Sequence, residues 1–472
     1  MRHFNQVRLQ QQVRFLQQQF LQDGILPFSD ILSAELIQQA LTALKVGWVD
    51  CVYTPLVTVC VFLGQVLSAD HSCRAAVARL IAHRVAQKQR ACSPETSAYC
   101  QARKRLPEEF FSQIARQTGR QLDAHSDSTW LWKSHHVYIF DGATVSMPDT
   151  DENQQAYPQP PQQKPGLGFP LMRIAVVFSL ACGAVLDVGI CRYAGKGQSE
   201  LALLRQMWSI FQPGSIMLAD RLMCSWTELV MLKQRDVDSV CRFTSHRKAD
   251  FRRGKRLGKD DHIVTWNKPT KPRSIDTPTY NTLPDSLTIR ECRVPIAQPG
   301  FRVKVVVIAT TLLDHIAYPP AELADLYRAR WNAELDLKSL KQTMQMDVLR
   351  CKTPELVRKE LWTHVLAYNL IRAILAQAAH KYQLQPRSIS FKGAIQTLHA
   401  FQPVIALQGG DDAARRLKLY HDLLDAIAAH RVADRPDRYE PRLRKRHDRN
   451  FGYLRKPRAE VKRDMAQGLT EI

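Results

Sequence analysis

From Val137 onward the apolar residues stop recurring at helical spacing. They fall instead into short runs bounded by glycine or polar turns, the pattern of buried strands. Val137 to Phe140 run into Asp141 and Gly142. Met172 to Leu180 and Ala184 to Cys191 flank Ala181-Cys182-Gly183 as the arms of a hairpin. Ser199 to Phe211 has amphipathic helical spacing, Ile216 to Ala219 run into Asp220 and Arg221, and a helix follows from Trp226 to Gln234. The order strand, hairpin, helix, strand results, with two strands each expected to end in an aspartate. Upstream, Phe28 to Leu44 and Ala75 to Lys88 are helical in spacing. Ser93 as N-cap, with Pro94 at the first helical position, is expected to open a helix towards Arg105.

A second constraint lies in PAELADLYRARWNAELDLKSLKQTM. Tyr327, Arg330, Glu334 and Lys341 fall at roughly 0°, −60°, −20° and −40° around an ideal helix, so they share one face. A solvated charged face has the same pattern. A carboxylate between a phenol and two cations also suits a metal ion and a phosphate backbone gripped side by side. Each strand-end aspartate taken alone is often a turn former. Together with Glu334, Asp141 and Asp220 offer the oxygen ligands that Mg²⁺ takes and shares with substrate phosphates. Two such ions can activate a water or a 3′-hydroxyl and stabilise the leaving oxygen of a displacement at phosphorus.

Composition points the same way. The chain has 472 residues and a net charge of +21, from 66 Lys and Arg against 45 Asp and Glu, an excess that favours a nucleic-acid partner. Met1 to Gln19 is polar and Gln-rich, with no apolar segment of a signal peptide. Val52 to Leu67 and Ile174 to Cys191 are too short or too interrupted to span a membrane. The expected location is therefore the cytoplasm, at the nucleoid when DNA is bound. Eleven cysteines without a C-x-x-C pair read as reduced thiols, and no Cys/His spacing suits zinc. Ala194-Gly195-Lys196-Gly197 lacks the first glycine and the Ser/Thr of a phosphate loop.

The spacing Tyr327-x2-Arg330-x3-Glu334-x6-Lys341, preceded by Asp141-Gly142-x-Thr144 and Ala219-Asp220-Arg221, resembles the DDE transposases of the insertion-sequence "IS-four" family. The likeness continues through Thr353-Pro354-Glu355-Leu356, Glu360-Leu361-Trp362 and Ala367 to Arg372, and into the tail at Glu440-Pro441-Arg442 and Lys456 to Glu460. It covers about residues 90 to 460. The resemblance implies Asp141, Asp220 and Glu334 as catalytic ligands of Mg²⁺, with Mn²⁺ substituting. It assigns Tyr327, Arg330 and Lys341 to DNA phosphates. Water frees a 3′-hydroxyl at the element end, the hydroxyl closes a hairpin on the opposite strand, water reopens it, and the end joins target DNA. The implied partners are double-stranded DNA with terminal inverted repeats, target DNA and a second copy of the chain in a synaptic dimer. Relatives stack a flipped base on a tryptophan, which makes Trp266 and Trp331 candidates. An inactive or domesticated transposase, acting only as a DNA-binding protein, is the alternative.

The expected fold is α/β: a ribonuclease-H-like core with a β-rich insertion, flanked by helical regions at both ends. Residues 1–125 would be a helical DNA-binding region, with Arg103, Lys104 and Arg105 as contacts. Residues 126–235 would open the core, and 236–312 would hold the insertion, whose basic start includes Arg252 and Arg253. Residues 313–385 would return to the core with the glutamate helix, and 386–472 would add helices and a basic tail. The 114-residue interval between Asp220 and Glu334 is too long for a simple connection, hence the insertion. Arg435 to Arg463 holds 12 Lys or Arg against 4 acidic residues, the composition of a partly disordered tail.

Overall fold

A computed structural model describes residues 32–48, 51–86, 88–244, 247–295, 305–408, 412–432 and 455–469. Helices lead the chain: α1 (Ala34–Ala43), α2 (Pro55–Leu67), α3 (Cys73–Ala86), α4 (Ser97–Arg105) and α5 (Glu108–Ala124). The helix expected from Ser93 begins later, with Thr96 at the N-cap of α4. Ser93 Oγ instead accepts the Glu95 N–H and closes a local turn, which competes with helix. Then follow β1 (Val137–Ser146), α6 (Asp151–Ala156), β2 (Leu171–Ser179), β3 (Val185–Arg192), α7 (Glu200–Gln206), β4 (Ile216–Ala219), α8 (Trp226–Lys233) and β5 (Asp238–Arg242). Next come β6 (Lys255–Gly258), β7 (Asp261–Asn267), α9 (Thr277–Asn281), β8 (Ser286–Pro295) and β9 (Val305–Thr310). The chain continues with α10 (Pro320–Ala329), α11 (Trp331–Lys338), α12 (Pro354–Lys381), α13 (Phe391–Gln408), α14 (Ala413–Ala429) and α15 (Arg458–Ala466). Much of the expected tail, residues 433–454, lies outside the described residues.

Among the described residues the strands form one sheet in the order β3-β2-β1-β4-β5-β9-β8-β7-β6. β1, β2 and β3 form an antiparallel meander, while β4 lies parallel to β1 and β5 parallel to β4. This 3-2-1-4-5 arrangement is the ribonuclease-H-like core. The insertion does not form a separate layer. β9 pairs antiparallel with β5, and β8, β7 and β6 follow outward, so the catalytic sheet is extended. β5 belongs to the core although it falls within 236–312; its buried Ser239-Val240-Cys241 is too short a run to announce a strand by itself.

The central helix is α12, buried nearly throughout from Leu356 to Ala379. It packs on α2, α5 and β3, so the leading helices and the sheet share one apolar core. Asn369 ties these layers. Its Oδ1 accepts the Val185 N–H at 2.8 Å, and its Nδ2 donates to the carbonyls of Val185 and Ala115 at 2.8 and 3.1 Å. Gly119 makes the close approach possible, because a Cβ there would stand 2.0 Å from the Val185 carbonyl oxygen.

The charged helix is not one ideal rod. α10 ends at Ala329, Arg330 keeps helical angles at the junction (φ −52°, ψ −33°), and α11 closes in a π-helical turn over Ser339–Thr343. That wider turn rotates Lys341 away from the stripe drawn on an ideal helix.

Candidate catalytic site

Asp141 lies within β1, not at its end, because pairing with β2 runs on to Ser146. Polar Asp141 and Gly142 look like turn residues in the sequence, but β2 offers them strand partners, Val176 and Ala175. What stops here is the other neighbour. β4 pairs with β1 only from Val137 to Ile139 and finishes at Ala219. Ile139 stands beside Leu218 as the last pair of that register, and two residues further along each segment come Asp141, still in β1, and Asp220, just past the end of β4. Both aspartates act on the charge of Arg330, which places them in its neighbourhood.

Glu334 arrives on α11, which packs against β1. Two residues on, Asp336 is buried, and both Arg372 and Arg387 hold its carboxylate, the latter at 2.9 Å. Arg372 Nε also donates to the Tyr368 hydroxyl at 2.8 Å, and that hydroxyl donates to the Gly183 carbonyl at 3.1 Å. Gly183 has φ +79°, and a Cβ there would lie 2.8 Å from Arg372 Cζ. The segment Ala367 to Arg372 thus fixes the helix that presents Glu334.

Arg330 spans the carboxylates, with Nη2 3.0 Å from Glu334 Oε1 and Nη1 3.8 Å from Asp141 Oδ2. Asp141 Oδ1 accepts the N–H of Gly142 at 2.9 Å. Burial pushes the Asp141 carboxyl up to about 6; the Gly142 N–H and Arg330 oppose this, while the charges of Glu334 and Glu200 add to it. Tyr327 is buried and pushed up to about 12, chiefly by burial, with Arg330 opposing and Asp220 adding. It therefore stays a protonated donor at neutral pH. Burial works against the charge of Arg330, yet Tyr327, Glu334, Asp141 and Asp220 together hold its pKa above the ordinary value. These five groups share one electrostatic neighbourhood.

Among the described residues no three acidic, histidine or cysteine side chains converge into a closed cation cage. The donors that are present still fit a hard cation. They are carboxylate oxygens, and Asp141 is a half-buried acid with one arginine for several acidic neighbours. Mg²⁺ is commonly held by one or two carboxylates, with substrate phosphates and water completing the shell.

The other candidates separate. Lys341 is half-buried in the π-turn, and no ion pair among the described residues joins it to Asp141, Asp220 or Glu334. Trp266 is 4% exposed, its Nε1 donates to Glu291 Oε1 at 2.8 Å, and Arg247 covers its ring at 4.2 Å. It is a core residue here, not an open stacking platform, because the alternation of β7 turns it inward. Trp331, 45% exposed, stays accessible beside Arg330. Arg103 is also internal. Its guanidinium lies over the rings of Phe62 and Tyr99 and near the thiols of Cys73, Cys100 and Cys351, so it is not a DNA contact. The basic triplet hid this, since one of three consecutive helical residues turns towards the core. Lys104 and Arg105 are exposed, as are Arg252 and Arg253, which share Asp250. Sequence reasoning missed Arg173 and Glu200, which approach the site from β2 and α7. The overlooked signal was a glycine in mid-strand at 142.

No helix among the described residues is long and apolar enough to cross a membrane. Residues 132–370 match the family described as Transposase DDE domain. The chain is 27% identical over 353 residues to Transposase InsG for insertion sequence element IS4 of Escherichia coli K12, across 74% of this chain and 76% of that one. It is 39% identical over 69 residues, 15% of this chain and 19% of the other, to Transposase for insertion sequence element IS421 of Escherichia coli. The piggyBac transposase in its synaptic complex with hairpin DNA aligns over 88% of this chain and 85% of its own, at 11% identity and a TM-score of 0.42, too loose a likeness to bear on function. With half the chain matched and the carboxylates gathered beside β1 and β4 in the interior of the sheet, the chain belongs to the DDE transposases, in the IS4 group of insertion-sequence enzymes.

Proposed function

We propose that this transposase cuts and joins the ends of its insertion sequence at one site built from Asp141, Asp220 and Glu334, which hold Mg²⁺, with Mn²⁺ substituting. The observation that carries this is Arg330, which links Asp141 to Glu334 and feels the charge of Asp220, with each aspartate two residues past the last pair of β1 and β4. Bound cations would supply Lewis-acid activation of the attacking oxygen and neutralise charge at phosphorus. The protein's own groups position the DNA. Arg330 offers a planar fork to phosphate oxygens, Tyr327 donates its hydroxyl, and Lys341 adds a point charge once the backbone lies against the π-turn. Trp331 is the remaining candidate for stacking a base displaced when a hairpin end closes.

The partners on this reading are double-stranded DNA with terminal inverted repeats, target DNA and a second copy of the chain in the synaptic complex. The cytoplasm, at the nucleoid, is the place of action. Lys104, Arg105, Arg252 and Arg253 are exposed and available to phosphates. The test is cleavage of end DNA in Mg²⁺. Asp141→Asn, Asp220→Asn and Glu334→Gln are each expected to reduce cleavage to background while leaving end binding intact. A variant that cleaves at the wild-type rate would remove that residue from the site.

A further inference from the structure

Beyond Ile139, β1 loses β4 as a neighbour, so the stretch carrying Asp141 has β2 as its sheet partner until a bridge forms at Ser146. A second element braces it from the other face. Glu200, the first residue of α7 after its N-cap Ser199, lies directly over Gly142. A Cβ built there would stand 2.4 Å from both Glu200 Cδ and Glu200 Oε1. Arg173, paired with Thr144 across β1 and β2, holds the carboxylate through Nη1 at 3.1 Å from Oε1. The same guanidinium donates through Nη2 to the Tyr193 carbonyl at 3.0 Å and covers the Tyr193 ring. The acid is thus fixed at both ends, by its helix and by its arginine. Gly142 has an ordinary negative φ, so it is required for space and not for backbone freedom.

We infer that Glu200 is a positioning residue for Asp141, acting through Gly142. Held by Arg173, its carboxylate presses on the Gly142 backbone and fixes the peptide whose N–H grips Asp141 Oδ1. Gly142 N–H donates to Asp141 Oδ1 at 2.9 Å, so any shift of that peptide is passed to the carboxylate. The inference rests on the proposed reading of Asp141 as a cation ligand.

The test measures Mn²⁺ binding directly, by calorimetry or by loss of the free-ion paramagnetic signal, on the full-length protein without DNA. Thermal melting of each variant checks that it is folded. Glu200→Gln keeps the size and removes the charge. Gly142→Ala puts a methyl group where the carboxylate rests, and the mobile end of Glu200 gives way more easily than backbone would. Each is expected to weaken Mn²⁺ binding by about tenfold, the lower end for loss of groups that orient metal ligands. Because they act on one contact, the double variant should be no weaker than the worse single variant. Glu200→Asp, which retracts the carboxylate from the added methyl, should recover part of the loss when combined with Gly142→Ala.

Wild-type Mn²⁺ affinity in both folded single variants would overturn the inference, as would strictly additive losses, which signify independent damage to α7 and β1. Asp141→Asn is the control. If it abolishes Mn²⁺ binding while the Glu200 and Gly142 variants leave it unchanged, only the role of Glu200 fails. Should Asp141→Asn itself bind Mn²⁺ normally, the reading of the catalytic site fails and the role of Glu200 with it.

Discussion

Asp336 and Asp141 are both largely withdrawn from water and both face arginine, but they are treated in opposite ways. Asp336, 2% exposed, has two guanidinium partners, Arg372 and Arg387, and Arg372 in turn rests on Tyr368. Asp141 has one guanidinium at 3.8 Å, shared with Glu334, and two further acids close enough to disfavour its charge. The first arrangement is complete, and it fixes α11 to α12. The second is short of positive charge, the condition a site needs if it is to take up cations. Glu334 and Asp336 stand two residues apart on one helix and so join these two environments: one side is locked so that the other can present an uncompensated acid.

The largest effect on stability is expected on the locked side. Asp336→Ala would leave Arg372 and Arg387 buried without their partner. Breaking such a pair from one side costs about 3–5 kcal/mol, whereas Glu334→Gln, on a half-exposed residue of the same helix, should cost little. Urea denaturation of the two variants side by side measures the difference. Equal stabilities would mean that Asp336 does not anchor α11, and the contrast would collapse.

Asp141 should show a smaller effect of opposite sign. Its folded pKa, about 6, lies above the ordinary carboxylate value of about 4, so the folded state holds the proton more tightly than the unfolded chain. That contribution is fully present below about pH 4 and is lost as pH rises through 6, leaving a charged carboxylate that costs the fold near neutrality. Asp141→Asn cannot ionise. In chelator at pH 7.5 it is expected to be more stable than the wild type by about 2 kcal/mol, with no gain at pH 4. Saturating Mg²⁺ should narrow the gap by stabilising only the wild type. Scanning calorimetry at the two pH values reads all of this, and a loss of stability at pH 7.5 would show that Asp141 is compensated after all.

The same contrast explains which parts were legible in the sequence. Apolar runs announce strands and their order, so β1 to β4 and the hairpin turn at Gly183 could be read directly. The carboxylates were legible through their spacing and its resemblance to a family. What stayed hidden depends on neighbours distant in the chain. Asp141 looked like a strand end because the extra length of β1 is set by β2, and the true ending belongs to β4. Arg103 looked like a DNA contact because burial over Phe62 and Tyr99 leaves no mark on a basic triplet. Trp266 looked open because the Glu291 that receives its N–H lies on the adjacent strand. Glu200 went unread since its meaning resides in the empty space at Gly142, which one glycine in a strand signals only faintly.

Asp250 extends the comparison to a third acid with two arginines, this time in solvent. Arg252 and Arg253 pair with it at 2.9 and 3.5 Å, but both cations are more than four-fifths exposed. Hydrogen bonds from Arg252 hold the Asp250 carboxyl below its ordinary pKa, yet water screens the pair, and surface pairs of this kind contribute little to folding. Asp250→Asn should therefore leave the melting temperature unchanged, in contrast to Asp336→Ala. It also removes a negative charge from a basic surface and frees two guanidinium groups for phosphate. Binding to end DNA is accordingly expected to tighten severalfold in low salt. The log–log salt slope should steepen by about 0.9 for each additional phosphate engaged. A matched pair of melting curves and a salt titration decide it. A clear fall in melting temperature with unchanged DNA affinity would place Asp250 with Asp336, as an acid that holds the fold, and would leave Arg252 and Arg253 without a role at the DNA.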